Sequence, residues 1–371
     1  MATQLTNYQC PACTGPLHFS PDTGKLVCDY CGSSYETAEI EKMYAAKEQA
    51  AQQATAQAAA KEAKQAAAGE PTDAGAEWGE DAKGMKVYNC PSCGAQLMCD
   101  ATTAATSCPY CGNPTVVPGQ FGGTLKPDCI IPFKLDKKAA IEALRTYYKG
   151  KKLLPRAFTA GNHIEEIQGV YVPFWLYDAT ANGDARYEAT RTESFREGDY
   201  NVVRTHHFNV ERSGAMRFVH VPVDGSSKMP DAHMDAVEPY NYTELKPFST
   251  AYLPGFLADK YDVDAAASQK RADTRMQNTA VEALRGTVQG YTSVVPLAEN
   301  VNVQHTATSY ALMPVWMLHT KWNGQNFLFA MNGQTGRLIG DLPVDKGRLA
   351  AWFFGISVPL MVVLGLLMML L

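Results

Sequence analysis

Eight of the ten cysteines in the 371-residue chain stand in four C-x₂-C pairs: Cys10 and Cys13, Cys28 and Cys31, Cys90 and Cys93, Cys108 and Cys111. The two pairs of each set are separated by the same gap, 15 positions, and the second set is the first displaced by 80. The match extends to Tyr8/Tyr88, Pro11/Pro91, Leu17/Leu97, Tyr30/Tyr110 and Gly32/Gly112. Four thiolates on two tight turns can close a tetrahedron around Zn²⁺ at about 2.3 Å per bond. With all four corners supplied by protein, each site is closed and structural, with no open position for catalysis. The expectation is two Zn²⁺ per chain. Disulfides would need a secretory leader, and the stretch Met1 to Tyr8 has neither a charged start nor an apolar run. Repeated C-x₂-C spacing in a reducing compartment therefore reads as metal. Of the other two cysteines, Cys99 aligns with Phe19 of the first set, which predicts a packing role; Cys129 lies beyond both sets.

Other chemistries find little support. His206 and His207 would point to opposite faces of a strand, and no H-E-x-x-H or comparable set joins them to His220 or His233. No G-x-S-x-G elbow is present, and Gly150-Lys151 has Arg145, not glycine, five positions upstream, which argues against an ATPase or helicase. Catalytic and cofactor-binding residues are accordingly expected to be none, and the chain is expected not to be an enzyme. Residues 134–156 hold eight Lys or Arg (Lys134, Lys137, Lys138, Arg145, Lys149, Lys151, Lys152 and Arg156) against only Asp136 and Glu142. A solvated helix face, anionic lipid and nucleic acid are the three readings of that segment.

Residues 349–371, LAAWFFGISVPLMVVLGLLMMLL, form 23 positions without a charge. As a helix this spans about 35 Å, enough for the hydrocarbon core of a bilayer. Pro359 is tolerated in such a span, and Trp352 stands where an interfacial aromatic belongs. Lys346 and Arg348 precede it, so the positive-inside rule predicts a single-pass, C-tail-anchored protein of the cell membrane with its N-terminal part in the cytoplasm. Net charge of −5 gives no global drive toward nucleic acid.

The elements that must carry these groups divide as follows. Residues 1–35 are zinc ribbon 1. Residues 36–84 are an Ala-rich helical arm followed by an acidic flexible joint from 70. Residues 85–118 are zinc ribbon 2, 119–345 a duplicated α+β domain, and 346–371 the anchor. Ser33-Ser34-Tyr35-Glu36 fits a capping box opening the arm, and Gly69 can close it. Within 119–345, Ala140-Ile-Glu-Ala-Leu-Arg145 recurs as Ala280-Val-Glu-Ala-Leu-Arg285, and Pro173-Phe-Trp175 as Pro314-Val-Trp316. Each strand is followed by Asn-Gly, Asn182-Gly183 and Asn323-Gly324, which predicts two hairpin turns. Further strands are expected at 186–195, 202–210, 216–223 and 327–331, with helices near 137–149 and 264–288. The fold class expected is two small Cys₄ ribbons, a helical arm, an α+β domain with antiparallel sheet and internal duplication, and a transmembrane helix.

Three longer motifs carry a resemblance: residues 102–118 with Cys108-Pro-Tyr-Cys111 at their centre, Lys126-Pro-Asp-Cys-Ile-Ile-Pro-Phe133, and Gly169-Val-Tyr-Val-Pro-Phe-Trp-Leu-Tyr177, with Asn332-Gly-Gln-Thr-Gly336 downstream. Together they resemble a family of bacterial double zinc-ribbon membrane proteins whose knuckles are of the transcription-factor-B type. The resemblance implies a cytosol-facing anchored protein that works beside an SPFH/flotillin-like protein, in a system linked to phage-shock protein A and envelope stress. Only the eight zinc cysteines transfer as functional positions. A protein-binding scaffold and a membrane-tethered nucleic-acid binder are the competing functions, and the ribbons' charge favours the first. Each ribbon carries a net charge of −1 (Lys25 against Asp22 and Asp29; Asp100 alone), whereas phosphate binding needs clustered Lys and Arg.

Overall fold

The computed structural model describes residues 10–12, 17–20, 25–28, 31–40, positions between 42 and 49, and 75, 77–82, 84–90, 92–100, 103, 107–113, 117–119, 125–155, 164, 166–322 and 325–370. Ribbon 1 is a three-stranded antiparallel sheet of β1 (Leu17–Ser20), β2 (Lys25–Cys28) and β3 (Ser34–Tyr35). Leu26 and Ile40 form its small core, with Leu17, Tyr35 and Met43 packed around them. Ser34 and Tyr35 are thus strand, and helix begins at residue 37. Glu36 pairs with Lys25 at 2.9 Å instead of reaching back to Ser33, because pairing β2 with β3 brings Lys25 to it; this replaces the expected capping box. Most of the expected arm, Gly69 and residues 70–74 lie outside the described residues.

Ribbon 2 supplies β4 (Lys86–Asn89), β5 (Gln96–Cys99) and β6 (Val117–Gly119). Then follow β7 (Cys129–Ile130), α1 (Lys137–Tyr148), β8 (Gln168–Glu197), β9 (Tyr200–Asp224), α2 (Asp231–Val237) and β10 (Lys246–Pro247). The chain continues through β11 (Leu257–Asp259), α3 (Ala265–Gly286), β12 (Ser293–Trp322), β13 (Gln325–Asn332), β14 (Leu338–Gly340) and α4 (Lys346–Leu370). One 11-stranded sheet runs β10-β7-β12-β8-β11-β5-β4-β6, with β9 on β8 and β13 and β14 beyond β12.

The expected segmentation of the strands is corrected. β8 and β12 are each 30 residues and β9 is 25, so 186–195, 202–210 and 216–223 are stretches of longer strands. At about 3.3 Å per residue, β8 is roughly 100 Å long. Asn182-Gly183 is not a turn. Both residues sit inside β8, opposite Asn302 and Val301 on β12 and Ala215 and Gly214 on β9. A Cβ at position 183 would lie 2.9 Å from Leu284 Cδ1, so this glycine serves the close approach of α3. The β8–β9 reversal comes at Gly198-Asp199, between the Glu197–Tyr200 pair. At the second expected turn, Trp322 pairs with Gln325 across Asn323-Gly324, which lie outside the described residues.

The duplication is closer in space than in sequence. β8 and β12 pair antiparallel, with Val172 opposite Met313, its own counterpart in the repeat, so a pseudo-twofold axis passes through that pair. β7 lies parallel to β12 (Cys129 beside Ala311) and β11 parallel to β8 (Leu257 beside Val170). Gly333 N–H donates to Pro314 O and Gly225 N–H to Pro173 O, both at 2.8 Å. Trp316 Nε1 donates to Leu135 O and Trp175 Nε1 to Val263 O. Asp136 caps α1 and Asp264 caps α3, each through the amide three residues on. The equivalent helix positions are therefore Asp136 and Asp264, and the inward residues Ala140, Leu144 and Tyr148 match Ser268, Ala272 and Met276. The Ala140–Arg145 and Ala280–Arg285 segments are not equivalent, which corrects the register expected from their likeness. Common helix formers recur by composition, whereas the caps and tryptophan contacts fix the true register. Each helix covers the other repeat's hairpin: α1 packs on Trp316, Leu318, Phe327 and Phe329, and α3 on Trp175, Tyr177 and Ala179.

A continuous sheet crosses the expected boundary at 118/119. Met98 and Leu97 of β5 pair with Ala258 and Asp259 of β11. The joint placed at 70–84 is also anchored in part: Trp78 is buried and meets the Phe248 ring edge-on at 5.5 Å.

Candidate metal centres

Each of three knuckle turns, at Cys28, Cys90 and Cys108, is a backbone device. In ribbon 2, Gly94 N–H donates to Cys90 O and Gly112 N–H to Cys108 O, both at 2.9 Å, while Cys90 N–H and Cys108 N–H donate back to Ala95 O and Asn113 O. Gly94 and Gly112 sit at φ +73° and +66°, the left-handed region that favours glycine. Ribbon 1 repeats the pattern at its second knuckle, where Gly32 N–H donates to Cys28 O and Cys28 N–H to Ser33 O. These bonds turn both sulfurs of a pair toward one point.

The sulfurs of Cys90, Cys93, Cys108 and Cys111 all lie within 4.8 Å of one another. Cys90 Sγ is 3.5 Å from Cys111 Sγ, and Cys93 Sγ is 3.6 Å from Cys108 Sγ. A zinc tetrahedron with 2.3 Å bonds has edges of about 3.8 Å, while a disulfide is about 2.05 Å. The donor set therefore fits Zn²⁺. In ribbon 1, Cys10, Cys28 and Cys31 converge in the same way, with Cys10 Sγ 3.5 Å from Cys31 Sγ; Cys13 lies outside the described residues. Sulfur crowding polarises the second set. Neighbouring thiols, Cys108 first, hold the Cys90 thiol well below its ordinary range. Cys108 is pushed up, above all by Cys111. A cation at the centre is what lets all four become thiolates.

Cys99 is buried beside Thr103, and Cys129 faces Tyr310 O; neither joins the clusters. The histidines are dispersed. His207 meets Glu188 at 3.2 Å on the exposed strand, His220 meets Asp178, and His233 meets Asp341.

A contact that the sequence did not disclose ties ribbon 2 to the sheet. Tyr110, inside the Cys108–Cys111 knuckle, donates its hydroxyl to Asp259 Oδ2 at 2.7 Å, and Ser226 donates to the same oxygen at 2.7 Å. The only sequence signal was the recurrence of tyrosine at positions 30 and 110. Asp259 is 1% exposed, and burial pushes its pKa up to about 7 against the pull of its two donors. Because the folded value lies above the unfolded one, this group's stability contribution is fully present below about pH 4 and is lost as pH rises through about 7. Asp259→Asn is expected to flatten the fall of stability with pH by up to about 1.4 kcal/mol per pH unit. Denaturant midpoints of both proteins between pH 5.5 and 8 check this. The comparison cancels the slopes from Glu166 and Asp224, which burial raises to about 7 and 6. Equal slopes would contradict the assignment.

The third feature is α4, 25 residues long and exposed along its described length, with Phe353, Leu360 and Met368 all more than half exposed. It is the one described helix long and apolar enough to cross a membrane.

Comparison with known proteins agrees with the N-terminal metal site. The family model of Trm112p-like proteins matches residues 9–36, the span of ribbon 1. The chain is 33% identical over 319 residues to YdjG of Bacillus subtilis (strain 168), covering 73% of this chain and 94% of that protein. No solved structure matches it.

Proposed function

The chain belongs to the YdjG family, and on that premise we propose that it is a membrane-anchored, cytosol-facing scaffold that presents zinc ribbons to a protein partner and catalyses no reaction. The observation that carries this reading is the closed second site. Four protein thiols fill every corner of a tetrahedron, so an ion there holds structure and has no vacant position for substrate. Two further features support it. The exposed apolar α4 suits a bilayer, and Lys346 and Arg348 at its start favour the cytosolic side for the preceding domain. The resemblance in the long motifs names the partner class as an SPFH/flotillin-like protein acting with phage-shock protein A in envelope stress.

The test is affinity purification of the tagged full chain from membranes, followed by mass spectrometry, at physiological and raised salt. An SPFH/flotillin-like protein is expected to be retained at both, and to be lost when Cys28→Ser and Cys108→Ser are combined. Recovery dominated by nucleic acid, disappearing as salt rises, would replace the scaffold with a tethered nucleic-acid binder.

A further inference from the structure

We propose that the neck between the sheet domain and α4 is a binding site for anionic phospholipid headgroups, formed by Lys149, Lys151, Lys152 and Lys346. The proposal rests on the reading of α4 as a membrane span. It goes beyond that reading by assigning a lipid chemistry to residues almost two hundred positions apart.

The fold clips these segments together. Asp345 N–H donates to Leu153 O at 2.9 Å, and the Arg348 guanidinium donates to Leu154 O at 2.7 Å. Lys152 Nζ stands 4.6 Å from the centre of the Trp352 ring, one turn past Arg348. Trp352 is the residue expected at the bilayer interface, so this contact sets Lys152 at headgroup height, with Lys149 and Lys151 within three residues of it along the chain. All four lysines are exposed. Among the described residues no carboxylate pairs with any of them. The nearby Asp345 is already engaged: it accepts from the Gly347 and Arg348 amides and faces the Arg348 guanidinium. Lys151 rides over the Tyr147 ring at 5.0 Å, a contact that leaves its ammonium hydrogens available.

Four unneutralised ammonium groups around the entry of an apolar helix match a surface of lipid phosphates in charge and in position. Each lysine held near an anionic leaflet strengthens the association by roughly five-fold, within a range of about 8 Å at physiological salt. The hydrophobic span guarantees that proximity. A nucleic acid would have to reach the same lysines against the membrane, so lipid is the favoured occupant.

The experiment places the full chain in vesicles of phosphatidylcholine alone and in vesicles about one third phosphatidylglycerol. A membrane-impermeant amine reagent then labels lysines, which are quantified by mass spectrometry with exposed Lys270 on α3 as reference. Insertion is expected in both. Labelling of Lys149, Lys151 and Lys152 relative to Lys270 should fall about five-fold or more only with the anionic lipid. It should recover at about 1 M salt, where the screening length is about 3 Å. Insertion with equal labelling in both vesicles overturns the headgroup site. Protection by added duplex nucleic acid but not by anionic lipid overturns it in favour of that ligand. A chain that enters neither vesicle refutes the span itself, a result distinct from the other two, and the proposal falls with it.

Discussion

Replacing Cys108 with serine is expected to remove one of two zinc ions and to lower the thermal midpoint of the whole sheet domain by about 10 °C or more. The size follows from how the site is built in. Structural zinc contributes on the order of 10 kcal/mol to the folding of a Cys₄ unit, as much as the net stability of an ordinary domain. Cys108 is buried, and its ribbon shares a sheet and a core with the domain: Cys90, Cys108 and Tyr110 cluster with Val170, Val172 and Leu257. Losing the ion frees β4–β6, uncovers β11 and strands the buried Asp259 without Tyr110. Cys28→Ser should also leave one zinc, but with the domain midpoint unchanged, because the described core of ribbon 1 is its own, Leu26 against Ile40. Elemental analysis and thermal unfolding of the full chain in detergent decide the matter. Fewer than two zinc ions in the parent protein with reduced thiols, or equal midpoint losses from both variants, would contradict it.

Deleting residues 349–371 is expected to move the protein from the membrane fraction to the soluble fraction. The removed segment is apolar and its described part is exposed, with no other described element to cover it. Burying each of its large side chains in lipid is worth about 1.5–3 kcal/mol, so no surface contact can replace it. Fractionation in raised salt is the measurement, since salt also strips any residual attraction of the basic neck. Persistence of the truncated protein in salt-washed membranes would show that a partner, not α4, holds it there.

Much of this was legible locally. The cysteine spacing carries the sulfur sites because a C-x₂-C turn needs only short-range bonds: the knuckle glycines and backbone amides lie within five residues of the thiols. The helices at 137–148 and 265–286 were expected from the Ala-x-Glu-Ala-Leu-Arg segment that lies within each; the Asp136 and Asp264 caps came only with the structure. The apolar run of α4 is a property of composition. What misled was equally local. Asn182-Gly183 has the chemistry of a hairpin turn, yet β9 and β12 flank it on both sides and α3 presses Leu284 onto its glycine. The recurring Ala-x-Glu-Ala-Leu-Arg segment has the look of a repeat, but Trp175 and Trp316 choose the register by bonding to the carbonyls of Val263 and Leu135.

By itself, then, the sequence determined the two sulfur sets, the apolar helix and the existence of a duplication, since each is written in the spacing of neighbours along the chain. The tertiary structure alone decided that ribbon 2 is part of the sheet, that each repeat's helix covers the other's hairpin, and that residues 152–154 stand beside Asp345, Arg348 and Trp352. Those outcomes depend on pairings between residues more than a hundred positions apart, Leu97 with Asp259, Tyr110 with Asp259 and Leu154 with Arg348. Such partners are selected by burial and by backbone groups seeking hydrogen bonds across the fold, and local spacing holds no record of them.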